Sequence, residues 1–95
     1  MVVGVCSVEL YIDDAMSLKD KRMVIRSIKD RLKLKFNISV AEVGKNDNWR
    51  IAQLGISCVS NEGAHVDSMI SGVMNFLERD VRIQVLDCRT EQIYV

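Results

Sequence analysis

The chain has 95 residues, with 13 Lys and Arg against 13 Asp and Glu, so its formal net charge is zero. This length, with 48% hydrophobic and 27% charged residues, is typical of one soluble domain spanning residues 1–95. The charge balance excludes a generally basic nucleic-acid coat protein, so any RNA contact must be local. No apolar run approaches the ~20 residues of a membrane span, and the first residues lack signal-peptide features. We therefore expect a cytoplasmic protein that does not associate with membranes.

The first half of the chain reads as a strand, a helix and a second strand. Clean alternation of apolar residues predicts a strand over Val2–Ile12. A helix is expected to begin near Leu18, with Ser17 as its N-terminal cap, and to end by about Lys35. From Phe36 the apolar spacing changes to period two, which predicts a strand immediately after the helix.

The second half repeats this pattern after a turn. The polar run 44–48 predicts a β-hairpin turn, and a third strand follows over 50–60. A second apolar stripe predicts a helix that ends at Glu78 or Arg79. A fourth strand is expected over 81–86, and the last residues, 93–95, are consistent with a short fifth strand.

The order strand, helix, strand, strand, helix, strand is that of the split βαβ, or ferredoxin-like, fold. Right-handed crossovers place both helices on one face of an antiparallel sheet with the strand order 4-1-3-2. We therefore predict an α+β sandwich of βαββαβ topology.

The first predicted helix carries a row of basic residues. Spacings of three, four, three and four place five of them on one flank: Lys19, Arg22, Arg26, Lys29 and Lys33. One interpretation is a solvated flank whose side chains pair with nearby acids. The other is a contact with RNA phosphates or an acidic partner, since the row extends along about 20 Å of helix. Spacing alone does not separate these interpretations.

The predicted hairpin contains the only tryptophan, Trp49, next to Arg50. A tryptophan beside cations can stack on a nucleic-acid base. It can equally cover the edge of the hydrophobic core. The RNA hypothesis therefore includes both residues as candidate contacts, and the packing interpretation stays open.

The sheet face away from the predicted helices is unusually apolar. An antiparallel face exposed to water is normally polar, so a cover is expected, either from the C-terminal segment or from a second copy of the chain. We favour a homodimer. The candidate interface residues are Val3, Val5, Ile51, Val59 and Leu86.

Signals for catalysis or metal binding are weak. Cys6, Cys58 and Cys88 are widely spaced and form no CxxC pair, so we expect packing residues rather than a disulfide framework or thiolate metal site. The only histidine, His65, has no ligand-type residues at suitable spacing. No nucleophile and base are visibly paired. We expect a non-enzymatic protein that uses no metal and no cofactor.

Four segments resemble one family across nearly the whole chain. The segments LYIDDAMSLKDKR, KFNISVAEVG, DNWRIAQLGISCVS and TEQIYV are similar to those of the YlxP-like family of small bacterial proteins, a domain of unknown function. The resemblance implies a ferredoxin-like fold, no established activity and no catalytic residues. Because family genes often lie among those for translation and ribosome maturation, it also implies a role linked to RNA or the ribosome.

Two function hypotheses follow. The first is an accessory protein that contacts RNA or a ribosomal particle through the basic helix flank. The alternative is a dimeric small-ligand-binding or regulatory module with the same topology.

Overall fold

The computed structural model describes all residues from 1 to 95, and it confirms the predicted order of elements. Four strands and two helices follow one another as β1 (Val2–Ile12), α1 (Leu18–Lys35), β2 (Ser39–Gly44), β3 (Ile51–Ser60), α2 (Gly63–Glu78) and β4 (Ile83–Tyr94). The bounds of β1 and α1 are as predicted. The second strand begins at Ser39, later than the expected Phe36, because Phe36 serves as the C-terminal cap of α1.

The sheet is antiparallel with the strand order β2-β3-β1-β4, which is the predicted arrangement. The two longest pairings join β1 to β3 and β1 to β4, so β1 lies in the interior of the sheet. Even-numbered residues of β1 are buried under the helices, and odd-numbered residues lie on the opposite face. We call that opposite face the open face.

The predicted fifth strand does not exist as a separate element. The sequence predicts it over residues 93–95, but β4 is one strand of 12 residues that continues from Ile83 to Tyr94. Its register shifts opposite Glu9 and Leu10, where Leu86 is the extra residue of a bulge. The bulge breaks the apolar alternation, and polar residues follow because β4 is an edge strand exposed to water.

The start of α1 is fixed by a side-chain cap. Ser17 has an extended backbone, and its Oγ accepts a hydrogen bond from the Asp20 amide at 3.1 Å. This bond satisfies one of the unpaired amides in the first turn of the helix. The buried face of α1 then follows at spacings of four, three and four: Lys21, Ile25, Ile28 and Leu32.

The core lies between the helices and the buried sheet face. The second helix contributes Val66, Ile70, Val73 and Leu77 at the same helical spacing. At Gly4 the backbone of β1 approaches α2 so closely that an added Cβ would clash with Val66 and lie 3.1 Å from Ile70 Cδ1. Glycine is therefore required there by packing. Neither helix combines the length and hydropathy needed to cross a membrane.

Candidate nucleic-acid interface

The predicted basic row lies on the surface of α1. Lys19, Arg22, Arg26 and Lys33 are exposed and Lys29 is half-buried. The structure brings four of these side chains around one surface depression of about 430 Å³, beside β2, whose lining is Lys19, Arg22, Met23, Ile25, Arg26, Lys29 and Glu42. Lys33 continues the row towards the C-terminal end of α1 without lining this depression.

None of the five side chains in the row is neutralised by an ion pair. The salt bridges of the molecule join Lys21 to Glu42, Arg82 to Asp80 and Arg89 to Asp87. The acidic residues of α1 leave the row free as well, since Asp20 accepts a hydrogen bond from the Met16 amide at 3.0 Å and Asp30 makes no salt bridge. The prediction of a locally basic surface on a neutral chain therefore describes this helix correctly.

Lys21 differs from the row because it is a structural residue. Its side chain is only 1% exposed, and Nζ donates hydrogen bonds of 2.6 Å to the carbonyl oxygens of Lys45 and Asn48. Nζ also lies 2.9 Å from Glu42 Oε2. That oxygen accepts no well-directed hydrogen bond, so the contact acts through the proximity of opposite charges. Lys21 thus ties the amino end of α1 to the β2–β3 hairpin.

The hairpin loop supplies the acceptors in a compact form. Lys45 adopts a left-handed φ of 60°, and the Asn48 amide donates back to the Lys45 carbonyl at 3.0 Å. The side chain of Asn48 accepts hydrogen bonds from the amides of Arg50 and Ile51, both at 2.9 Å. These turns direct the Lys45 and Asn48 carbonyls inward to Lys21.

A signal for this role was present in the sequence. Lys21 precedes Ile25, Ile28 and Leu32 by four, seven and eleven residues, which is the spacing of the buried stripe itself. A cation at a stripe position indicates a buried partner, and Glu42 supplies the carboxylate.

Trp49 and Arg50 form a separate cluster from the basic row. The Arg50 guanidinium lies over the Trp49 ring, 5.3 Å from its centroid, and Arg50 Nη1 donates to Tyr11 Oη at 3.4 Å. Neither residue lines the depression on α1. Trp49 stays 41% exposed, so part of its ring is accessible for stacking.

A second group of cations, not predicted from the sequence, lies between the two helices. Arg31, Lys35, Arg79 and Arg82 line a depression of about 510 Å³. Arg31 and Lys35 lie over the ring of Phe76, at 5.9 and 5.6 Å from its centroid. Arg31 and Lys35, through Phe76, and Arg82, through Asp80, therefore have partners within the chain, unlike the cations of the row.

The turn between α2 and β4 is held by an ion pair. Asp80 accepts from Arg82 Nε at 2.9 Å and from Nη2 at 2.7 Å, while Arg82 Nη1 donates to Ser27 Oγ on α1 at 3.2 Å. Hydrogen bonds from Arg82 hold the pKa of Asp80 below its ordinary value, and the same contact raises the pKa of Arg82. The pair locks α1 to the start of β4.

The predicted dimer residues divide into separate groups on the open face. Val3 opposes Val59 on β3 and Ile93 on β4, which gives an apolar row across three strands, with Val5 next to it. Ile51 lies about 26 Å along β3 from Val59, beside Tyr11. Leu86, at the bulge of β4, is 50% exposed. The C-terminal segment pairs within the sheet and does not cross this face.

Between these groups the open face is lined mainly by small side chains, with Arg89 and Glu91 on β4. Register places Ala41, Gly55, Ser7 and Arg89 in one row across the sheet, and Ser39, Ser57, Val5 and Glu91 in the next. These residues surround a depression of about 540 Å³.

Comparisons with known proteins agree with this fold and with the resemblance of the motif segments. A family model described as a protein of unknown function, DUF503, matches residues 3–90. The uncharacterized protein YlxP of Bacillus subtilis (strain 168) is 34% identical over 90 residues, covering 95% of this chain and 98% of that protein. The solution NMR structure of a de novo designed protein with a ferredoxin fold aligns with a TM-score of 0.56 at 12% identity, over 98% of this chain and 84% of that one. The chain therefore belongs to the DUF503, or YlxP-like, family of proteins of unknown function.

Proposed function

We propose that this protein is a non-enzymatic accessory protein that contacts RNA, or an RNA-bearing particle, through the basic row on α1. The observation that carries the proposal is the absence of any ion pair at Lys19, Arg22, Arg26, Lys29 and Lys33. Side chains without intramolecular partners keep their full attraction for phosphates. Because the flank belongs to a rigid capped helix, the cations keep a fixed spacing.

The reach of the row supports a phosphate-backbone contact. From Lys19 to Lys33 the helix rises about 21 Å, so several phosphates of one strand can be contacted together. Such contacts fix position and orientation and carry no sequence information. Trp49 and Arg50 remain predicted secondary contacts, through stacking on an unpaired base. Recognition of RNA shape, rather than of a sequence motif, is the expected mode.

Co-sedimentation with ribosomal particles at low salt tests the proposal. We expect the wild-type protein to pellet with the particles and the triple variant R22E/R26E/K29E to stay in the supernatant. The matched control is R31E/K35E/R79E. It changes the net charge by the same amount, but at the group of cations that lies between the two helices. Circular dichroism checks that both variants keep the fold.

The control decides between a local contact and general attraction to RNA. If R31E/K35E/R79E is lost from the pellet as completely as R22E/R26E/K29E, binding follows net charge and the proposed surface is wrong. If neither the wild-type protein nor any variant pellets with particles or binds purified ribosomal RNA, the RNA proposal as a whole is wrong.

We further propose the dimeric ligand-binding module as a second candidate, because the open face carries both an apolar row and a depression. The depression of about 540 Å³ falls within the ~300–1,000 Å³ typical of small-molecule sites, and a second copy laid across the sheet would enclose it. Asp87, Arg89 and Glu91 alternate in sign along β4 on this face. A two-fold-related copy shifted along β4 can place Arg89 of each chain beside Asp87 or Glu91 of the other.

Sedimentation equilibrium tests this candidate. The wild-type protein and the V81E control, whose substitution lies in the turn before β4, should be dimers. The V59E variant, which places a charge in the apolar row, should be a monomer. A wild-type monomer at every concentration measured contradicts the candidate.

A thermal-shift screen tests the ligand-binding part of this candidate. A metabolite at 100 times its Kd would add about 2.7 kcal/mol to the free energy of unfolding, which such a screen detects.

A further inference from the structure

Three sulfur atoms from three different elements meet on the helix side of the sheet. Cys6 Sγ on β1 lies 3.6 Å from Cys88 Sγ on β4, and Cys88 Sγ lies 3.6 Å from Met74 Sδ on α2. Cys6 is buried, Met74 is half-buried and Cys88 is exposed. The cluster therefore has one ligand-type group within the core and one that solvent can reach. The spacing of the cysteines along the chain gave no indication of this meeting.

The register of the sheet disfavours a disulfide between the two thiols. Cys6 is directly opposite Thr90, and Cys88 is directly opposite Val8, so the cysteines are diagonal neighbours on adjacent strands. Diagonal neighbours have Cα atoms about 7–8 Å apart, whereas disulfides span about 4.4–6.8 Å. Forming the S–S bond would require the strands to shift.

The same separations suit a metal ion bound between the sulfurs. Sulfur ligands lie about 2.3 Å from a protein-bound ion, so three of them in a trigonal plane are about 4.0 Å apart. Cys88 Sγ lies 3.6 Å from each of the other two sulfurs, so these two separations need only a small outward movement of the side chains. Thiolate and thioether sulfurs are the ligands that select Cu⁺. Zinc sites usually hold four ligands, and no group of three or more His, Cys, Asp or Glu side chains surrounds this position.

We propose that Cys6, Cys88 and Met74 form a binding site for a soft monovalent cation, Cu⁺. Binding forms two thiolate–metal bonds and one thioether–metal bond. The two thiol protons leave to solvent and no electron is transferred, since the ion enters as Cu⁺.

Anaerobic titration of the reduced, full-length protein with Cu⁺ tests the site, with a chromophoric Cu⁺ chelator as competitor. We expect one ion per chain and near-ultraviolet absorption from thiolate-to-copper charge transfer. Substitutions of residues that support metal ligands typically cost about 10- to 100-fold in metal affinity. Substitution of a ligand itself should cost at least as much. Cys88→Ser should show this loss while keeping the fold, because Cys88 is exposed. Met74→Leu should weaken binding less, because both thiolates remain.

Cys58 supplies the matched control. It is a buried cysteine on the same sheet face and has no sulfur–sulfur hydrogen bond, which Cys6 and Cys88 share, so Cys58→Ser should retain Cu⁺ binding. An equal loss in Cys58→Ser and Cys88→Ser would overturn the proposal, as would a wild-type protein that takes no Cu⁺ from the chelator. Ready formation of a Cys6–Cys88 disulfide in air, detected by mass, together with no Cu⁺ uptake, would also overturn it.

Discussion

Replacing Lys21 by Met should destabilise the protein far more than any other single change of a lysine on α1. Methionine matches the length and helix propensity of lysine, so the change removes little besides the charge and its contacts. Those contacts are hydrogen bonds of 2.6 Å to two loop carbonyls and the 2.9 Å approach to Glu42. The substitution leaves Glu42 and both carbonyls without their partner.

The size of the effect follows from this burial. Removing one partner of a buried ion pair typically costs about 3–5 kcal/mol, because the remaining charge is uncompensated. For a chain of this length, 1 kcal/mol corresponds to about 4–8 °C in Tm, so the melting temperature should fall by about 12–40 °C. The double variant K21M/E42Q removes the stranded charge and should recover part of the loss.

Urea unfolding provides the assay. Circular dichroism reports on the whole domain, and the fluorescence of Trp49 reports on the hairpin that Lys21 holds. Lys19→Met is the matched control: Lys19 is exposed and has no ion pair, so its free energy of unfolding should stay within about 0.5 kcal/mol of the wild-type value.

Two results would refute this reasoning. One is a loss below about 1 kcal/mol in Lys21→Met, which would mean that water or a rearranged loop replaces the lysine at little cost. The other is a K21M/E42Q variant no more stable than K21M, which would show that Glu42 is not left stranded.

Three further substitutions test other parts of the structure. Asp80→Asn should cost about 1.5–3 kcal/mol at neutral pH, because charge-assisted hydrogen bonds to Arg82 are lost. Folding lowers the pKa of Asp80 below 3.8, so the stabilisation by its carboxylate is present above that pH and is lost as the pH falls through the lowered pKa. The difference in free energy of unfolding between Asp80→Asn and the wild type, measured with urea, should therefore be smaller at acidic than at neutral pH. A difference that does not change with pH would contradict the assignment of this stabilisation to the Asp80 carboxylate. Ser17→Ala should lower the free energy of unfolding by about 1 kcal/mol through loss of the helix cap, whereas no change in thermal melting would mean that the cap contributes nothing. Gly4→Ala should cost about 1–3 kcal/mol through its clash with Val66, and unaltered urea unfolding would show that α2 can move aside.

The sequence was informative wherever apolar spacing was regular. The alternation in Val2–Ile12 and the capped stripe of α1 led to correct bounds, and the order of elements was sufficient for the sheet topology. Residues 87–92 of β4 were not predicted as strand, because an edge strand with a bulge needs no apolar alternation. The hydrogen bonds that define it come from β1, which is distant in the sequence.

Residues of the candidate sites were predictable only where they lie on one helix, because helical spacing determines their relative positions. The spacing of Lys19, Arg22, Arg26 and Lys29 determines that they share a flank, and the structure groups them. Cys6 and Cys88 are separated by 82 positions, so only the register of β1 with β4 brings them together. The contact of Lys21 with the hairpin likewise depends on tertiary structure.

The central claim, that the row on α1 contacts RNA phosphates, is tested most directly by the salt dependence of RNA binding. If all five side chains neutralise phosphates, the logarithm of the association constant should fall with the logarithm of salt concentration at a slope of about −3.5 to −4.5. In the neutral variant R22Q/R26Q/K29Q the slope should become shallower, about −1.4 to −1.8, because two contacts remain. A variant slope equal to that of the wild type would contradict the claim.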